Sequence, residues 1–159
     1  FDKPYGTFVN ESKILYVADN GNHRIQRWMP AANSGTTVAG ITASSGSGLK
    51  RLDTPIAVAV DNNGWAIYLT SNHIIFSRYR YIYIADYGND RIIRWTEDYA
   101  AGGTCIIGCG GTSGTGPTEL NGPRDVKFDA DGNLYVSDQR NNRVQKYGIQ
   151  ISPNCSASK

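Results

Sequence analysis

The stretch LYVADNGNHRIQRW at residues 15–28 is written again as IYIADYGNDRIIRW at 82–95 and as LYVSDQRNNRVQKY at 134–147. The copies start 67 and then 52 residues apart. Each opens with a short aliphatic and Tyr-containing run that predicts a buried β-strand, because branched and aromatic side chains suit a pleated, packed surface. Each run ends at an acid: Asp19, Asp86 or Asp138. A polar turn follows, and a second strand begins at Arg24, Arg91 or Arg143 and closes on Trp28, Trp95 or Tyr147. Alternation such as Ile25 with Arg27, or Val144 with Lys146, has the period of a strand, so each copy is predicted to be a β-hairpin.

Outward from the hairpins, Pro4 and Pro123 each lie 15 residues before the acid of their copy, whereas Pro55 lies 31 before Asp86. The 16 extra residues can be placed. DNNG at 61–64 aligns with DADG at 129–132, and YIYIAD at 81–86 resumes where NLYVSD does at 133–138, so the insert is WAIYLTSNHIIFSRYR, Trp65 to Arg80. Removing it turns the interval of 67 into 51, beside 52 for the next. TTVAG at 36–40 and TCIIG at 104–108 each predict one more strand, and Gly, Ser and Thr-rich linkers at 41–51 and 109–119 lead to Leu52 and Leu120. One unit is then strand a after the proline, strands b and c in the hairpin, and strand d. Four antiparallel strands in roughly 40–50 residues mark a β-propeller blade, which buries its faces only against neighbouring blades.

A proline, then VxxD, then LYVxDxxNxRIxxW resembles the NHL repeat, and the resemblance runs in three registers from Pro4 to about Tyr147. It implies an all-β fold, a partial β-propeller of about three four-stranded antiparallel blades. Blade 1 is placed at about 4–40, blade 2 at about 55–108 with the insert at 65–80, and blade 3 at about 123–159, incomplete. Because propellers of this family commonly close on six blades, the chain is expected to be a segment of a larger ring.

Composition bounds the function. Eighteen Gly and ten Tyr suit turns and strands, and no apolar run approaches the roughly 18 residues that span a membrane. The formal charge is +2, and the insert supplies Arg78 and Arg80 with no acid, so the remaining 14 basic and 14 acidic residues cancel. That removes a global basic footprint, and nucleic-acid binding is not expected from this segment. The acids and arginines of the hairpins, Asp19 with Arg24, Asp86 with Arg91 and Asp138 with Arg143, are read as structural pairs, since a carboxylate accepts two parallel bonds from guanidinium.

Enzyme chemistry finds little foothold. The resemblance extends to a propeller lyase that uses metal-binding histidines, but this chain has only His23, in a variable turn slot, and His73, in the insert. A three-histidine zinc site does not assemble, so no catalytic residue, metal or cofactor is assigned. DNNG and DADGN lack the closing Glu of a calcium loop and read as hairpin turns. Cys105 and Cys109 flank a segment that bridges only if the chain turns sharply at Gly108, while Cys155 stands apart near the end; disulfides in an extracellular or secretory setting are the preferred reading.

In such a meander the b–c turns and the d–a linkers share one face. The positions on it that the repeat leaves free are Asn20, Tyr87 and Gln139, then His23, Asp90 and Asn142, with the adjacent basic pair Lys50 and Arg51 from the linker. Loops on a rigid frame carry binding. The expected function is a noncatalytic module that binds a protein partner through this face. The alternatives that the resemblance leaves open are part of a propeller lyase or hydrolase completed by further blades, and an RNA-binding propeller.

Overall fold

The computed structural model describes residues 1–70, 73–96 and 99–148, with side chains described outside 62–79. Cys155 lies outside the described residues, as do the side chains of His73 and of most of the insert. Among the described residues, eleven strands form three antiparallel sheets. The first comprises β1 (Pro4–Val9), β2 (Leu15–Asp19), β3 (Arg24–Trp28) and β4 (Thr36–Gly40) in that order. The second comprises β5 (Pro55–Thr70), β6 (His73–Asp86), β7 (Arg91–Trp95) and β8 (Gly103–Ile107). The third comprises β9 (Pro123–Phe128), β10 (Asn133–Asp138) and β11 (Arg143–Gly148). This is an all-β partial β-propeller, with β1, β5 and β9 as the adjoining inner strands of successive blades.

The period-two pattern of blade 2 explains the stacking. Val58, Val60, Ile82, Ile84, Ile93 and Trp95 join Tyr16, Ala18, Ile25 and Val38 of blade 1 in one apolar cluster. Their sequence neighbours Ala57, Ala59, Tyr83, Ala85 and Ile92 join Val126, Leu134 and Val136 of blade 3 in another. Alternate side chains point to opposite faces of a strand, so blade 2 buries both faces between its neighbours. Each fully covered Ile or Leu contributes about 1.5–3 kcal/mol. Among the described residues, one face of blade 3 is covered: β11 alternates between half-buried and exposed, and Val144 is 68% exposed.

The insert is continuous with the sheet. Beyond Asp61↔Tyr81 a bulge intervenes, and the antiparallel register then runs from Gly64↔Tyr79 to Thr70↔His73. The backbone of 65–80 thus prolongs the a–b hairpin of blade 2 on the side away from the b–c turns. A glycine ends strand d in both complete sheets for a steric reason. Gly40 and Gly108 have φ of 79° and 73°, and a Cβ at either would lie 2.2 Å from the carbonyl oxygen of His23 or Asp90.

Candidate functional site

The repeated hairpins place an acid and an arginine on the same rung. Asp86 and Arg91 are register partners across β6 and β7, joined by a 3-10 turn at Tyr87–Asn89. Arg91 Nε donates to Asp86 Oδ2 at 2.8 Å, and Asn89 Nδ2 donates to the same oxygen at 2.8 Å. The other carboxylate oxygen, Oδ1, accepts the backbone N–H of Asp53 at 2.7 Å. The guanidinium then reaches the linker: Nη1 donates to Ser47 O at 2.6 Å, and Nη2 donates to Gly48 O at 3.3 Å and to Arg51 O at 3.1 Å. Asn89 Nδ2 adds a bond to Gly46 O at 3.0 Å. The motif is therefore a clamp that fastens the incoming d–a linker, whose carbonyls lack strand partners, to its own blade.

Blade 3 repeats the clamp. Arg143 donates to Asp138 at 2.7 Å and to the carbonyls of Thr115, Gly116 and Glu119, while Asn141 joins Asp138 to Gly114 O. Asp138 in turn accepts the N–H of Asn121. In blade 1, Arg24 donates to Asp19 at 2.8 Å and to Thr42 Oγ1, and Asp19 also accepts from the Asp2 N–H and from Asn22. The acids respond differently to the same donors. Burial pushes the Asp86 carboxyl up, against the pull of Asn89, the Asp53 N–H and Arg91. At Asp19 burial acts in the same sense, but the Asp2 N–H, Arg24 and Asn22 outweigh it and hold that carboxyl low.

His23, Asp90 and Asn142 occupy equivalent positions and share one backbone conformation, with φ of 53°, 51° and 50°. Asn, Asp and His tolerate this left-handed region better than most residues, which explains the restricted choice at a slot that looked free. Two of the three side chains reach the next blade. His23 Nδ1 accepts the N–H of Thr54 at 3.1 Å, and Asp90 Oδ1 accepts the N–H of Gly122 at 2.7 Å. Thr54 and Gly122 each precede the proline that opens a blade. Accepting from Thr54 requires an unprotonated Nδ1, so Asp53 Oδ1 at 3.5 Å is a neighbour of His23 rather than its ion-pair partner. Asn142 is exposed.

The remaining candidates divide. Asn20 is buried and donates to Pro55 O at 3.2 Å, a second link from blade 1 to blade 2 beside that of His23. Lys50 lines a recess of about 140 Å³ with Ile41, Trp95, Tyr99 and Ala100, whereas Arg51 turns back to Ser44 Oγ and Ser45 O, so the basic pair forms no joint patch. Tyr87 and Gln139 instead meet residues that inspection of the repeats did not single out. Arg124, the exposed second residue of β9, donates through Nε to Gln139 Oε1 at 2.7 Å. Arg140 donates through Nη2 to Tyr87 Oη at 3.1 Å. Both guanidinium carbons stand near the Tyr87 ring, 5.7 and 5.2 Å from its centroid.

Beside this cluster a cavity of about 390 Å³ opens between the Gly88–Arg91 turn, Ser47 and Leu49 of the linker, and the Cys105–Gly111 segment. Its wall includes a Cys105–Cys109 disulfide, with Cα atoms 5.7 Å apart across the sharp turn at Gly108. Among the described residues, no group of three His, Cys, Asp or Glu side chains is arranged to hold a metal ion, and no helix is long and apolar enough to cross a membrane.

Comparison with known proteins places this geometry in context. A family model described as NHL repeat matches residues 120–147. NHL repeat-containing protein 3 of Mus musculus is 28% identical over 156 residues, covering 92% of this chain and 39% of that protein. Its Homo sapiens counterpart is 26% identical over the same length, with the same coverage. The chain thus spans about two fifths of the length of these relatives. Two solved structures share the fold. An auxiliary nutrient binding protein from Bacteroides thetaiotaomicron has a TM-score of 0.63 at 21% identity, over 89% of this chain and 36% of that one. One from Bacteroides ovatus has a TM-score of 0.61 at 19% identity, over 88% and 36%.

Proposed function

Since the chain belongs to the NHL-repeat family and folds as adjoining propeller blades, we propose that it is a noncatalytic module that binds protein partners through the face made by its b–c turns and d–a linkers. The observation that carries this reading is the clamp. Each linker is held by hydrogen bonds to the Asp, Asn and Arg of its blade, so loops that would otherwise wander are presented as a fixed surface. A preordered surface loses little entropy on association. The 390 Å³ cavity and the Tyr87 cluster lie on that surface. The disulfide beside them fits an oxidising compartment outside the cytosol.

Site-specific photo-crosslinking tests the assignment of the face. Gly48 and Gly110 lie in the linkers with open space where a side chain would project, and Glu11 and Asp131 are exposed in the a–b turns of the opposite face. A crosslinker at Gly48 or Gly110 should capture discrete protein species that excess unlabelled chain competes away. Crosslinkers at Glu11 and Asp131 should not. Equal capture from both faces refutes the assignment.

A further inference from the structure

Most arginines whose contacts are described are consumed by the frame, but Arg124 and Arg140 are exposed and converge on one ring at the seam between blades 2 and 3. We infer that this seam recognises a carboxylate of an acidic peptide segment, with Arg124 and Arg140 as its cationic walls and Tyr87 as the surface between them. The inference rests on the protein-binding reading and adds the chemistry of the partner.

The two guanidinium groups are oriented by neutral acceptors, Gln139 Oε1 and Tyr87 Oη. Among the described residues neither forms an ion pair. The nearby acids are engaged elsewhere: Asp90 accepts from the Gly122 N–H, and Asp125 pairs with Lys127 at 3.2 Å. Two cations held close to one phenol repel each other, and the ring face offsets only part of that cost. A carboxylate seated between them relieves the repulsion and can take parallel N–H donors from a guanidinium fork. The turn that carries Arg140 is itself anchored, with Gln139 N donating to Gly122 O and Arg140 N donating to Asn121 O, so part of the ordering cost is met before binding.

The surroundings favour a peptide over RNA. A phosphodiester strand needs a track of cations, whereas this seam has two beside Asp90 and Asp125, and the Lys50–Arg51 pair is divided between other contacts. The cavity is lined by Gly88 and Asn89, which follow Tyr87 in the blade 2 turn, and by Ser47 and Cys109. A segment with its carboxylate on the seam has beside it a recess of mixed character, to which Leu49 and Cys105 also contribute.

The test is fluorescence anisotropy of the intact chain with three labelled probes of equal length: a Glu-Gly-Ser repeat peptide, its Gln-Gly-Ser counterpart, and an oligouridine. At about 0.15 M salt the Glu peptide should bind, while the Gln peptide and the RNA should not. Arg124→Gln and Arg140→Gln should each weaken the Glu peptide by about tenfold or more, the loss expected for a charge-assisted bond, with thermal melts unchanged. Tyr87→Phe, which keeps the ring and removes the Oη contact, should weaken it less. Equal binding of the Gln peptide, indifference to both arginine substitutions, preference for RNA, or no binding of the Glu peptide at millimolar concentration overturns the inference. Display-face crosslinks that persist in the double variant would leave the protein-binding reading standing while the carboxylate site falls. Absence of those crosslinks would remove the broader reading as well.

Discussion

Arg91→Ala is the sharpest probe of the clamp. Arg91 is 7% exposed and Asp86 is 0% exposed, and the guanidinium makes four contacts, one to the carboxylate and three to linker carbonyls. Truncation leaves a buried carboxylate without its cation and those carbonyls without their donors. Breaking a buried pair in this way costs about 3–5 kcal/mol. For a domain of this size the melting temperature should fall by about 6–20 °C. The penalty should also depend on pH with a defined sign. Burial already raises the Asp86 carboxyl, and losing Arg91 raises it further above its unfolded value. The folded variant then binds its proton more tightly than the unfolded chain does, so the penalty shrinks as pH falls toward the raised value and is largest at neutral and alkaline pH. Arg91→Lys keeps the charge but lacks the planar fork, and should recover only part of the loss. Arg24→Ala should cost less, because that side chain is 21% exposed and, besides Asp19, reaches the side chains of Thr42 and Gln26 where Arg91 holds three linker carbonyls. Denaturant melts followed by Trp fluorescence, from pH 5 to 8, read all three variants. A loss below about 1 kcal/mol for Arg91→Ala, or an effect that grows as pH falls, would refute the reasoning.

Deleting Trp65–Arg80 joins Gly64 to Tyr81 and retains the Asp61↔Tyr81 register, so a thermal melt should be unchanged or improved; a large fall would show that the insert packs into the core. Replacing Cys105 and Cys109 together by Ser removes a link closing a very short loop and should cost about 2 kcal/mol on a loop-entropy argument, read as a shift in denaturant midpoint. Asp19 is held below its ordinary value, so its stabilisation is complete above about pH 4 and is lost as pH falls through the depressed value. Asp19→Asn should flatten that acid limb of the stability profile.

The repeated hairpin was legible because three copies share both a strand period and a turn length, and the spacing of five residues puts Asp19, Asp86 and Asp138 opposite an arginine. The third clamp residue was also on view, since Asn22, Asn89 and Asn141 stand three positions after each acid. Its role was not, because the carbonyls that Asn89 and Asn141 hold come from linkers about 27 to 43 residues earlier. The insert could be bounded from register alone, yet its strand pairing with itself required the backbone. The slot holding His23, Asp90 and Asn142 was read as free to vary. Its side chains look unrelated until the left-handed backbone they share is seen. Lys50 and Arg51 illustrate the converse: adjacency in sequence suggested a patch, and the linker sends the two side chains in different directions.

These contacts bear on where a propeller face can acquire specificity. Within a blade, the Asp, Asn and Arg of the turn are occupied in fixing the linker. Between blades, His23 and Asp90 are occupied in latching the residue before the next proline. Both sets can be replaced only at a cost in stability, since each substitution strands a backbone group or a charge. What remains is the first residue of the turn and the second residue of the inner strand, and at the blade 2 to blade 3 seam these are Tyr87, Gln139 and Arg124, with Arg140 beside them. At the blade 1 to blade 2 seam the counterparts of Tyr87 and Arg124 are Asn20 and Ile56, both buried, and those of Gln139 and Arg140 are Tyr87 and Gly88, which carry no charge. One seam is therefore closed by packing while the other presents exposed cations on the same framework. A ligand that reads the Arg124 and Arg140 seam would distinguish two interfaces built from nearly the same repeat, which is how a regular fold yields an irregular, selective surface.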